Sequence, residues 1–227
     1  MTDTNAPHYA GHRARLRERL TRDSVSLADY ELLELVLASV LPRRDTKPLA
    51  KELVQRFGSL GGALRADPNK LADVNGVGPG VQAHWRLLQE VFARLAEEPA
   101  LTRDVLCDPD LVAEAAKARI GSKGIEEFWA AFLDNKNRVI AWERMNRGTV
   151  GETPVYPREI MARALRLEAA GVILAHNHPG GDPHPSAEDI ELTRRIVRAG
   201  QELGVRVLDH LVVTDCEHYS FHDHGRL

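Results

Sequence analysis

The chain has 227 residues, 43% hydrophobic and 28% charged, with 30 Lys and Arg against 33 Asp and Glu for a net charge of −3. This is ordinary globular usage, enough for one large domain or two small ones, and it argues against a disordered, collagenous or low-complexity chain. No apolar run approaches the roughly 18–20 residues of a membrane-spanning helix, no apolar signal follows the polar N-terminus, and Cys107 and Cys216 form no CxxC pair, so a cytoplasmic protein with free thiols and no membrane partner is expected.

Residues 12–95 read as helices separated by short breaks. Arg13, Arg15, Arg17, Arg19 and Arg22 crowd the first of them. Such a run serves as a solvated helix face or as a phosphate-contacting arm. Leu32, Leu33, Val36, Leu37 and Val40 have helical spacing, with Ser26 or Asp29 to start the helix and Pro42 to stop it. Pro48–Phe57 predicts a second helix, with proline in its first turn and Gly58 at its end. Leu60–Leu64 and Asn69–Val74 are short helical pieces, and a long helix runs from Val81 to about Glu97. The polar segment 97–110 carries Pro99 and Pro109, and the domain boundary is expected there, between residues 101 and 102.

After a helix over Asp110–Ala118 the pattern changes. Phe128–Leu133 and Arg138–Trp142 are apolar, aromatic-rich runs joined by Asp134-Asn135-Lys136-Asn137, which reads as a β-hairpin. Pro157–Leu167 reads as a helix. Gly171-Val172-Ile173-Leu174-Ala175 is continuously apolar, as a strand buried on both faces requires. Ser186–Leu203 is a long helix, and Val205–Val213 and Tyr219–Phe221 are strands. The expected fold class is therefore α/β: an all-helical N-terminal domain over 1–101, then a mixed sheet flanked by helices over 102–227.

The sharpest chemical feature is His176-Asn177-His178-Pro179-Gly180-Gly181, with Ser186-Ala187-Glu188-Asp189 shortly after it. Positions two apart in a strand share a face, so both imidazoles project together beyond the apolar strand. The glycines turn the chain, and the intervening loop is long enough to bring Asp189 back to them. Two imidazoles and one carboxylate make a three-ligand zinc site with an open fourth position, one zinc per chain. Ser186 and Asp189 also read as a helix cap with an acidic first turn. That reading explains neither histidine.

His-x-His, seven residues, Ser, two residues, Asp is the signature of the JAMM/MPN+ zinc metallopeptidases, and His176, His178, Ser186 and Asp189 match it. Phe132-Leu133-Asp134-Asn135-Lys136-Asn137-Arg138, Arg147-Gly148-Thr149, Val155-Tyr156-Pro157-Arg158-Glu159 and Ala175-His176-Asn177-His178-Pro179 resemble the bacterial RadC family within that superfamily. Gly180 departs from the many relatives that carry Ser there. The resemblance implies a JAMM/MPN-like fold preceded by a helix-hairpin-helix region. It implies that His176, His178 and Asp189 hold zinc, that Ser186 stabilises a tetrahedral oxyanion, and that a Glu near the first core strand is the general acid/base. Glu126 holds the position most like the family's, Glu127 is its neighbour on the other face, and Glu143 is a third candidate. His210 follows Asp209 in a strand that would border the site, as a supporting residue or a hydrogen-bonded core histidine. His184 reads as solvated, and His218, His222 and His224 show no ligand spacing.

Gly76-Val77-Gly78-Pro79-Gly80 is the second signal. A glycine-rich turn between helices lets backbone N–H groups approach a phosphate, so Gly76, Gly78 and Gly80 are candidate DNA-backbone contacts that read no sequence. His84 and Arg86 add the only positive charge visible nearby in sequence. Three functions compete: a zinc hydrolase cleaving a peptide or isopeptide, a DNA-binding protein linked to repair, and a non-catalytic interaction module. A nuclease reading of the letters His-Asn-His is set aside, because both histidines end one apolar strand.

Overall fold

The structure is a computed structural model that describes residues 8–105, 110–147 and 155–227. Cys107, Pro109 and the Gly148-Thr149 pair lie outside the described residues. The chain divides into two compact units, residues 1–89 and 90–227.

The first unit is helical, with α1 (His8–Arg22), α2 (Asp29–Val40), α3 (Lys47–Phe57), α4 (Leu60–Arg65), α5 (Pro68–Ala72) and the start of α6 (Pro79–Thr102). Its core joins Leu33 and Leu37 of α2, Leu49 and Leu53 of α3, Ala63, Leu71, and Val81 and Trp85 of α6. The Trp85 indole donates to the Ala63 carbonyl at 2.9 Å, so its one polar atom is satisfied inside the core. The arginine run is only partly a solvated face. Arg13 is buried and donates to the carbonyls of Leu41, Pro42 and Arg44, where α2 ends. A guanidinium there satisfies orphan carbonyls and meets the negative end of the helix. Arg19 pairs with Glu31 at 2.9 Å.

The break between the units falls at Gln89 and Glu90, inside α6, ahead of the boundary read from the sequence. α6 continues through Pro99 to Thr102. Ala100 and Val105 are buried with the core of the second unit, so the proline-bearing segment packs as part of that domain.

The second unit holds α7 (Asp110–Ala116), a π-helical turn over Lys117–Gly121, β1 (Glu127–Leu133), β2 (Val139–Arg147), α8 (Pro157–Arg166), β3 (Gly171–Asn177), α9 (Ala187–Leu203), β4 (Arg206–Val213) and β5 (His218–Ser220). The sheet order is β2-β1-β3-β4-β5. β1 is antiparallel to β2 and β3, β3 is parallel to β4, and β5 is antiparallel to β4. α9 makes the crossover that a parallel pair demands.

Alternation sorts the side chains into two layers. Ala131, Leu133, Ile173, Ala175, Leu211 and Val213 pack with α7 on one face. Phe128, Ala130, Phe132, Val172 and Leu174 pack with Ile160 and Met161 of α8 and Ile196 of α9 on the other. The mixed sheet with helices is the architecture expected for this half. β3 runs two residues further than its apolar stretch, through His176 and Asn177, so the first histidine is held by ladder hydrogen bonds. The C-terminal residues are folded, not loose: Phe221 is buried and Arg226 N–H donates to its carbonyl at 2.9 Å.

Candidate metal centre

The site sits where β3 ends and α9 begins. His176 is the penultimate residue of β3, on the α9 face, and His178 follows two residues later on the same side. The chain then turns, with the Gly181 N–H donating to the His178 carbonyl at 3.0 Å. Gly181 has φ +83°, a conformation that suits glycine. Ser186 caps α9. Its hydroxyl accepts from the Asp189 N–H at 3.1 Å, while the Asp189 carboxylate accepts from the Ser186 N–H at 2.8 Å and hydroxyl at 2.6 Å. The capping reading and the ligand reading of this segment are therefore compatible. The reciprocal box fixes the Asp189 carboxylate beside the histidines.

His176 Nε2 lies 3.0 Å from His178 Nε2 and 3.2 Å from Asp189 Oδ1. His178 Nε2 lies 3.4 Å from Asp189 Oδ2. These three residues are a group able to hold a metal ion among the described residues. Zinc with bonds of about 2.0–2.1 Å sets tetrahedral ligands about 3.3–3.4 Å apart. The observed separations, with Asp189 meeting His176 through Oδ1 and His178 through Oδ2, are close to this spacing, so the donor set fits zinc.

The electrostatics follow from this crowding. Burial opposes the charged form of Asp189, but its contacts with the His176 and His178 imidazoles outweigh it and hold the carboxyl far below its ordinary value. His178 is raised, chiefly by its contact with Asp189. His178 Nδ1 donates to the Asp182 carbonyl at 2.8 Å, which turns Nε2 toward the other two residues. His210 is fully buried and pushed well below the ordinary histidine value by desolvation.

The glutamates separate by face. In the β1–β3 register Phe128 faces His176, and its ring stacks on that imidazole at 5.9 Å. Glu126 lies just before β1, and its charge acts on the His178 imidazole. Glu127 points to the α7 face, as alternation requires. It is buried and bound by Lys123 at 2.6 Å and by the Trp129 indole at 3.0 Å. Burial raises its carboxyl, but these partners prevail and lower it. Glu143 is held by Arg163 through two hydrogen bonds of 2.7 and 2.5 Å.

Residues 106–226 match the family described as the RadC-like JAB domain, more than half of the chain. The chain belongs to this family. Within its RadC-like JAB domain, a JAB/MPN-type family, the candidate residues His176, His178, Ser186 and Asp189 all lie inside the matched segment.

Three contributors were not among the residues singled out from the sequence. Thr193 reaches both Asp189 and His210. Asn177, on the face opposite His176, accepts from the Glu127 N–H at 2.8 Å and so ties the start of β1 to the end of β3. Arg44, three helices away in sequence, reaches the Gly76 carbonyl at 3.5 Å. Only Thr193 left a signal, a polar position one turn after Asp189 on the apolar face of the helix. His184 is exposed beside Asp182, as read from the sequence. His224 stacks on Tyr219 at 4.0 Å, away from any ligand role. Cys216 is a free, exposed thiol. No helix of the described residues is long and apolar enough to cross a membrane.

Proposed function

We propose that this chain is a zinc-dependent hydrolase of peptide or isopeptide amides. The observation that carries the reading is the spacing of the donor atoms of His176, His178 and Asp189, 3.0, 3.2 and 3.4 Å, at the end of β3. His176, His178 and Asp189 would hold the zinc, which when bound supplies Lewis-acid polarisation and a lowered water pKa. Glu126, whose charge acts on His178, is the base that would take a proton and pass it to the leaving amine. Ser186 would support the oxyanion. Its proton is held by Asp189 at 2.6 Å, so this role requires the hydroxyl to turn toward substrate. Phe128 and its buried neighbours exclude water from one side of His176.

The test is zinc content of the purified protein beside Asp189→Ala, followed by cleavage of peptide and isopeptide-linked substrates with and without chelator. About one zinc per chain, lost in the variant, with chelator-sensitive cleavage, supports the reading. No zinc in either protein after zinc is supplied overturns it.

A second activity is favoured by the Arg44 guanidinium at the Gly76 turn. Gly76, Gly78 and Gly80 together with Arg44 would contact a DNA backbone without reading sequence. Salt-sensitive duplex binding by the full chain, weakened by Arg44→Ala, is the expected result. Binding that ignores salt or the substitution removes this reading and leaves the hydrolase reading intact.

A further inference from the structure

Two buried polar side chains, Thr193 and His210, lie behind the candidate ligand His176 and have no part in the hydrolytic reading. His176, Thr193 and His210 come from β3, α9 and β4, and each has 0% exposure. Thr193 Oγ1 lies 2.6 Å from the Asp189 carbonyl oxygen and 2.6 Å from His210 Nδ1. His210 Nε2 lies 2.9 Å from His176 Nδ1. The line begins on the main chain of one candidate ligand and ends on the ring of another.

Counting hydrogens orients it. A carbonyl oxygen only accepts, and a threonine hydroxyl has one hydrogen to give. The Thr193 hydroxyl therefore donates to the Asp189 carbonyl, and its oxygen accepts from His210. His210 Nδ1 must then carry a hydrogen. One hydrogen remains between His210 Nε2 and His176 Nδ1. Placed on His210 it would make a cationic ring between Phe128, at 5.4 Å, and Phe221, at 4.9 Å. Such a burial is costly. Placed on His176 Nδ1 it leaves both rings neutral and every contact in the line satisfied. His176 then turns a bare Nε2 toward His178 and Asp189. The opposite tautomer would aim an N–H at the same point and block ligation.

We infer that His210 and Thr193 are positioning residues that lock His176 in its ligand-ready tautomer. The inference rests on the metal-centre reading above and deepens it. It makes one buried relay tie the entry of α9, through the Asp189 main chain, to the donor atom on β3. A small shift of α9 would break the Thr193–His210 contact and carry Asp189 away from His176. The site is thus assembled as one unit, not as three independent side chains.

The experiment uses the full chain in four forms: wild type, Thr193→Val, His210→Phe and His210→Gln. Val keeps the shape of Thr and deletes the hydroxyl. Phe keeps a ring between Phe128 and Phe221 and deletes the acceptor. Gln gives an acceptor back to His176 Nδ1. Zinc affinity is read by chelator competition, and the His176 tautomer by nitrogen NMR of metal-free protein. The expected result is a zinc affinity weaker by about 10–100-fold in His210→Phe, the usual effect of losing such a partner. A smaller loss is expected in Thr193→Val and partial recovery in His210→Gln. The wild type should show His176 protonated at Nδ1, and the first two variants a mixture. A purely structural role would lower the melting temperature and move neither tautomer nor recovery. Wild-type zinc affinity and an unchanged His176 tautomer in Thr193→Val and His210→Phe would overturn the inference. If the wild type itself takes up no zinc, the metal reading fails, and the tautomer measurement still decides the relay.

Discussion

The turn before α6 and the loop before α9 both pass through glycine and proline into the start of a helix. In the first, Val74 and Val77 are buried with Leu71, Val81 and Trp85, and the turn is held by packing. Its polar contact is Arg44 at the Gly76 carbonyl, 3.5 Å away and exposed. In the second, each side chain that matters has a fixed hydrogen-bond partner: Ser186 on Asp189, His178 on Asp182, and His176 on His210. Glycine punctuation is common to both and therefore carries no chemistry by itself. What separates them is side chains with fixed hydrogen-bond partners, one pair of which, His176 and His210, is buried.

The strongest way to break this comparison is to remove a ligand. In His178→Ala, zinc should no longer raise the denaturation midpoint. The wild type should gain about 4 kcal/mol with free zinc a thousandfold above its dissociation constant. Equal zinc-induced shifts in the two proteins would show that the metal binds elsewhere.

The glutamate pair comes next. Glu126→Gln should keep zinc and lose about 100–10,000-fold in kcat, as expected for a general acid/base. Glu127→Gln should do the reverse, because its carboxylate holds Lys123 and Trp129 on the α7 face. About 1–3 kcal/mol of stability would be lost there, with kcat retained. Turnover by zinc content and urea denaturation on both variants separates the roles. A kcat loss confined to Glu127→Gln would reverse the assignment.

Much of this was legible in the sequence because local rules and global packing agree there. Period-two alternation placed His176 and His178 together. The Ser186–Asp189 cap spacing brought the carboxylate back, and strand alternation put Glu127 on the face opposite Glu126. The rest depends on contacts far apart in sequence. Thr193 meets His210, and Arg13 reaches the end of α2, through tertiary packing that no local periodicity records. The division into compact units at residues 89 and 90 depends on such contacts too. Pro99 reads as a break, yet α6 runs through it, and Ala100 and Val105 are buried beyond it.

The first turn has a smaller expected response. Gly76 has φ +97°, and a Cβ there would meet the Arg44 guanidinium at 2.7 Å, whereas nothing lies within 4 Å of one at Gly78. Gly76→Ala should destabilise the helical unit by about 1 kcal/mol or more, and Gly78→Ala should be close to neutral. Denaturation midpoints for the two variants check this. Equal effects would mean the turn relaxes freely.

The smallest effect is a pH dependence of the metal-free protein, and its sign follows from two histidines shifted in opposite directions. His210 is lowered by burial, so below the unfolded value of about 6.5 the unfolded chain takes a proton that the folded one refuses. Stability therefore rises with pH up to that point. His178 is raised by Asp189, so above about 6.5 the folded chain keeps a proton that the unfolded one has lost, and stability falls as pH rises further. The Asp189 contribution is constant across this window, because its carboxyl is charged in both states. Urea midpoints of metal-free protein should peak near pH 6.5. His210→Phe should flatten the acidic limb, and saturating zinc, which competes with the His178 proton, should remove the alkaline one. A monotonic profile in the metal-free wild type would mean that the two histidines do not titrate against each other. The opposition is a direct consequence of placing one ring in apolar packing and the other against a carboxylate.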